Sequence, residues 1–79
     1  MPYTIRFSPH AARAFRKLSR AVQVRMYGAI EPLKENPRMS GAEKLKGSEN
    51  AYRIRVGDYR ILYEIQEEEL IVYVIETGH

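Results

Sequence analysis

The chain has 79 residues, 44% of them hydrophobic, and carries 13 Lys and Arg against 10 Asp and Glu for a net charge of +3. That length allows one domain, residues 1–79, which buries only about 60% of its extended surface, so a modest stability of roughly 4–12 kcal/mol is expected. The absence of cysteine excludes a disulfide framework and a thiolate metal site and fits a reducing cytoplasm, and no apolar run approaches the ~18 residues of a membrane span or resembles a signal-peptide core.

Charge is unevenly spread. Residues 1–60 hold all 13 bases and five acids, whereas residues 61–79 hold five acids and no base. A basic bulk of this kind points to an acidic partner, either nucleic acid or an acidic protein.

The alternation and β-branched content of Tyr3 to Phe7 predict a first strand. Ser8-Pro9 then forms a helix start, with Ser8 as cap and Pro9 at the first position, where no amide hydrogen is needed. Ala11, Phe15 and Leu18 give helix 1 its apolar stripe; Arg13, Arg16, Lys17 and Arg20 are read as solvated, and His10 has no visible partner. Ser19 caps a second helix that runs to Glu35 or Asn36, with Val22, Met26, Ala29, Ile30 and Leu33 at helical spacing. Pro32 opposes the carbonyl of Gly28 and should kink this helix, and Asn36-Pro37 ends it. The short link predicts an antiparallel helical hairpin.

After a loop over 37–43, Lys44-Leu45-Lys46 reads as a short edge strand. Ala51 to Ile65 holds two alternating runs around Gly57-Asp58, a pair suited to a two-residue primed turn beginning with glycine. Counting outward pairs Val56 with Tyr59, Arg55 with Arg60, Ile54 with Ile61, Arg53 with Leu62, and Tyr52 with Tyr63. Tyr52, Ile54, Val56, Tyr59, Ile61 and Tyr63 then share one face, and Arg53, Arg55 and Arg60 the other. Like charges directly opposite destabilise a sheet. Three guanidiniums aimed at one spot therefore read as a preformed anion seat, with phosphate the natural occupant. Glu67-Glu68-Glu69 makes an acidic turn, and Leu70 to Ile75, apolar on both faces, is expected as a central strand covered on both sides. The fold class is α+β: a strand, two helices packed on one face of a sheet, and an antiparallel meander.

Leu45-Lys46-Gly47 together with Tyr52 to Tyr63, around the Val-Gly-Asp-Tyr-Arg core, closely resembles the RelE/ParE superfamily of toxins from type II toxin–antitoxin pairs. The resemblance spans essentially the whole chain. It implies a metal-independent and cofactor-free endoribonuclease that cuts messenger RNA on the ribosome by attack of the ribose 2′-hydroxyl, leaving a 2′,3′-cyclic phosphate. It also implies a cognate antitoxin that holds the enzyme inactive. By the same resemblance Arg60 stabilises the transition state, Arg53 and Arg55 hold the phosphate, and Lys44 and Lys46 join them in binding RNA. Members of the family commonly carry a further arginine and a tyrosine on a C-terminal tail, whereas this sequence stops at Gly78-His79. Two substitutes for acid–base work are His79, whose intrinsic pKa of about 6.5 suits it, and Glu43, which by the resemblance holds the position of a glutamate that some relatives use. A ParE-like poison of DNA gyrase, or a catalytically silent antitoxin-binding homologue, is the alternative.

Overall fold

The computed structural model describes residues 2–38 and 41–77. Strand β1 (Thr4–Phe7) leads into helix α1 (Pro9–Arg16) and helix α2 (Arg20–Ile30), which passes into a 3₁₀ turn, Glu31–Lys34. Strands β2 (Glu43–Lys44), β3 (Ala51–Val56), β4 (Tyr59–Gln66) and β5 (Glu69–Thr77) follow. They form one five-stranded sheet in the order β1-β5-β4-β3-β2, in which β1 runs parallel to β5 and every other pair is antiparallel.

Both helix starts are capped as their sequences demand. The Ser8 hydroxyl accepts from the Ala11 amide at 3.1 Å and the Ser19 hydroxyl from Val22 at 3.3 Å. The kink expected at Pro32 takes a sharper form: the α-helix stops at Ile30 and the chain tightens into the 3₁₀ turn containing Pro32. A proline there can supply no amide hydrogen, and a tighter turn relieves its clash with the preceding carbonyls. Gln23 bonds the carbonyls of Phe15 and Leu18, and Tyr27 meets Phe15 edge-on at 5.5 Å, which folds α2 back against the end of α1.

The helices cover one face of the sheet. Ala11, Met26, Ile30 and Leu33 pack with Tyr52, Ile54, Ile61, Tyr63, Leu70, Val72 and Ile75 into a single buried cluster. The β3–β4 register agrees with the sequence count at all five pairs, and Gly57 opens the turn with φ +60 while Asp58 stays at negative φ. An ideal Cβ at Gly57 would lie 2.9 Å from Nη2 of Arg25, which reaches over from α2. Gly57→Ala therefore meets a positive φ, the main cost, while the flexible end of Arg25 can shift aside. A loss of about 1–2 kcal/mol is expected in urea unfolding.

Strand β5 departs from a regular meander. Its register against β4 slips between Leu62 and Tyr63, leaving Tyr73 as the extra residue of a bulge. Ser8 secures that bulge: its amide bonds the Val72 carbonyl at 2.8 Å and its hydroxyl bonds the Tyr73 carbonyl at 2.8 Å. The slip keeps Leu70, Val72 and Ile75 all inside. So the apolar run of β5 marks a change of phase in an internal strand. Its outer face is not fully covered, with Ile71 and Val74 half-buried and Tyr73 37% exposed.

A second anchor holds the loop before β2. The Tyr63 hydroxyl, on a residue only 1% exposed, donates to the Pro37 carbonyl at 2.5 Å. Next to it, Arg38 bonds the Tyr52 hydroxyl at 3.1 Å, and Tyr52 stacks on Tyr63 at 5.8 Å. Burial, with a smaller contribution from Tyr52, pushes the Tyr63 phenol up to about 12. An unfolded tyrosine ionises near ~10, so above that pH the unfolded chain loses its proton first and stability falls until the folded phenol titrates near 12. The expected loss is up to about 2–3 kcal/mol between pH 10 and 12, and comparison of urea unfolding with Tyr63→Phe, in which the decline is shallower, checks it.

Candidate phosphate-binding site

Strands β3 and β4 hold the three arginines on the outer face of the sheet, away from the helices. Arg55 stands directly opposite Arg60, and Arg53 opposite Leu62, two pairs further from the turn. Alternation carries the effect: the residues between them, Ile54 and Ile61, are core, so the arginines cannot turn inward. Together with Gly41 and Glu43 they line a cavity of about 150 Å³. That is the share of roughly five liquid waters, enough for a phosphate group and its ester oxygens. A larger hollow of about 420 Å³ between β1 and α2 is lined by residues such as Ile5, Phe7 and Tyr27 and gathers no comparable charge.

Two carboxylates meet the guanidiniums. Strand β2 sets Glu43 opposite Arg53, and the two side chains form an ion pair. The bulge in β5 sets Glu76 opposite Arg60, with Nη2 and Oε1 3.5 Å apart. Arg55 has no carboxylate partner among the described residues. Nε of Arg60 is buried and meets no acceptor there. These pairs are partly exposed, so each contributes little to stability, about 0–1 kcal/mol. Their importance is electrostatic: three arginines and Glu43 line one small concavity, and Glu76 reaches it through its pair with Arg60.

The remaining candidates fall elsewhere. The expected edge strand is shifted, since β2 comprises Glu43 and Lys44, with Leu45 and Lys46 beyond it. Lys44 pairs with Tyr52 and so belongs to the opposite side of the sheet from the arginines, while Lys46 lies in the following turn. Neither lines the cavity. His79 lies outside the described residues. Glu76 was not singled out from the sequence. A regular hairpin counted from the Glu67-Glu68 turn would have put Ile75 opposite Arg60, and only the bulge brings Glu76 there. The sequence clue was that count's own conflict: it aims an isoleucine outward beside an arginine.

Among the described residues no three His, Cys, Asp or Glu side chains gather as metal ligands would, and no helix is long and apolar enough to cross a membrane. What the cavity offers is a set of fixed, permanently charged donors on rigid strands, with a carboxylate at its rim. Such a set can bind and polarise a phosphate.

The sequence profile of the ParE toxins of type II toxin–antitoxin systems matches residues 4–79, and the chain belongs to that family. It is 31% identical over 80 residues to the mRNA interferase toxin RelE of Escherichia coli strain K12, covering 99% of this chain and 83% of that protein. The isolated E. coli RelE toxin has the same fold, with a TM-score of 0.86 at 23% identity over 98% of this chain and 85% of that one. The toxin–antitoxin complex RelBE of E. coli gives a TM-score of 0.84 at 25% identity over 98% of each chain. The five-stranded mixed sheet and two helices are thus those of a toxin of this family.

Proposed function

We propose that the protein is an endoribonuclease that cuts messenger RNA, working on the ribosome and neutralised by a cognate antitoxin. The observation that carries this reading is the arginine-lined cavity on β3 and β4, because cleavage of a phosphodiester by its neighbouring 2′-hydroxyl needs fixed positive charge. As the 2′-oxygen bonds to phosphorus, the phosphorane gains negative charge that Arg60 and Arg55 are placed to stabilise. Arg53 holds the phosphate in line, and its partner Glu43 is the rim carboxylate that takes the 2′-hydroxyl proton. The P–O5′ bond then breaks, water protonates the leaving oxygen, and a 2′,3′-cyclic phosphate remains. Arginine cannot serve as the acid at neutral pH, so its role is electrostatic. The antitoxin segment that covers this face would carry acidic residues opposite the arginines.

The ParE family match favours a second reading, a toxin directed at DNA gyrase. Induction of the chain in cells separates the two. Under the nuclease reading, growth arrest comes with cut messengers and unchanged plasmid supercoiling. Relaxed plasmids with intact messengers would overturn it in favour of gyrase.

A further inference from the structure

We infer that Glu76 is a built-in counter-ion of the phosphate seat, one that stays beside Arg60 and tunes the seat toward monoanionic phosphodiesters. The inference rests on reading the arginine cluster as a phosphate site. Its own observations are three. Glu76 faces Arg60 across the β4–β5 pair only because a bulge at Tyr73 shifts the register by one residue. At 3.5 Å the carboxylate is within ion-pair range of the guanidinium but is not hydrogen-bonded to it, and the Glu76 side chain is 44% exposed. Nε of Arg60 meanwhile stays without an acceptor among the described residues.

A pair made for stability would be better satisfied, because a buried guanidinium donor without a partner is unfavourable. Glu76 is instead loosely held, partly exposed to water and in ion-pair range of Arg60 without a hydrogen bond to it. Its effect on the site is through charge. The three arginines carry three positive charges, and Glu43 and Glu76 offset two of them. The seat that remains matches the single negative charge of a phosphodiester. It is poorly matched to a phosphate monoester, which carries close to two charges once the pH is well above ~6. The same carboxylate keeps Arg55 and Arg60 from repelling one another while the site is empty. A nuclease acting on long RNA gains from this arrangement, since free nucleotides are poorer competitors for its site.

The test uses the whole chain and two small probes, dimethyl phosphate and methyl phosphate, titrated at pH 8 and low salt while the arginine Nε–H resonances are followed by NMR. Glu76→Gln is expected to tighten dimethyl phosphate binding roughly two- to fivefold, the range set by partly exposed ion pairs. The logarithm of the gain should about double for the dianionic monoester, because Coulomb energy scales with ligand charge. Glu69→Gln removes the same charge from a carboxylate paired with Arg6, which does not line the cavity, instead of with Arg60, which does, and should leave both affinities unchanged. If Glu76→Gln binds no tighter than Glu69→Gln while the unmodified chain binds dimethyl phosphate, the counter-ion role is overturned and the phosphate seat stands. Weaker binding in Glu76→Gln also overturns it, by showing that the carboxylate merely positions Arg60. Absence of binding in every protein overturns the seat and Glu76's role together.

Discussion

Arg60→Ala should lower messenger cleavage about 10²–10³-fold while the protein keeps its fold. The kinetic size follows from removing one preorganised charge from the place where negative charge develops. The structural half follows from where Arg60 points. It projects from the outer face of β4, with its side chain 27% exposed, and its one ion pair among the described residues is with the exposed end of β5. Removing it leaves Glu76 unpaired in contact with water, a change of about 1 kcal/mol or less. Cleavage should therefore fail in a protein whose circular dichroism and urea midpoint are nearly unchanged. A variant that unfolds would show that Arg60 faces the core, contrary to the register of β3 and β4.

The neighbouring residue should behave in the opposite way. Ile61 is fully buried among the residues that the helices cover, and Ile61→Ala removes three carbons and leaves a cavity that the packing around it fills only in part. The expected loss is about 2–5 kcal/mol. Against the roughly 4–12 kcal/mol available to a small domain, that leaves a fraction of molecules unfolded at growth temperature. Cleavage per folded molecule should nevertheless be retained, because no atom of Ile61 lines the cavity. Urea unfolding gives the first quantity, and cleavage normalised to folded protein gives the second. One step along β4 thus separates chemistry from stability, which is the functional meaning of strand alternation in this sheet.

That alternation is also why so much of the site is legible in the sequence. Two alternating runs around a glycine that must take φ +60 leave one register, and Arg55 and Arg60 follow as a facing pair. Positions set by non-local geometry were not legible in the same way. The parallel pairing of β1 with β5 joins residues 65 positions apart, such as Thr4 and Glu69, and no local pattern specifies it. The bulge at Tyr73 depends on Ser8, which binds the Val72 and Tyr73 carbonyls from the far end of the chain. Without the bulge Glu76 would not face Arg60. Glu43 came to notice through family resemblance alone, and its ion pair with Arg53 depends on a two-residue strand too short to carry a periodic signal. Arg38 is similar: its place over Tyr52 follows from the turn at Pro37, which Tyr63 holds from beneath.

The arrangement also explains why this site needs no large cavity. Its donors come from the middle of a sheet whose opposite face is the core, so their backbone positions are held by packing on Ile54, Ile61 and Tyr63. Under the proposed mechanism, positive charge fixed in this way would not have to reorganise as a phosphorane forms, which is where electrostatic catalysis gains most.

The most direct test of the central claim is messenger cleavage on programmed ribosomes by the purified chain, with the chemistry of the new ends determined. Fragments that end in 2′,3′-cyclic phosphate and 5′-hydroxyl groups are expected, and they should disappear in Arg60→Ala. A correctly folded chain that leaves the messenger intact, or that cuts equally well without Arg60, would contradict the claim.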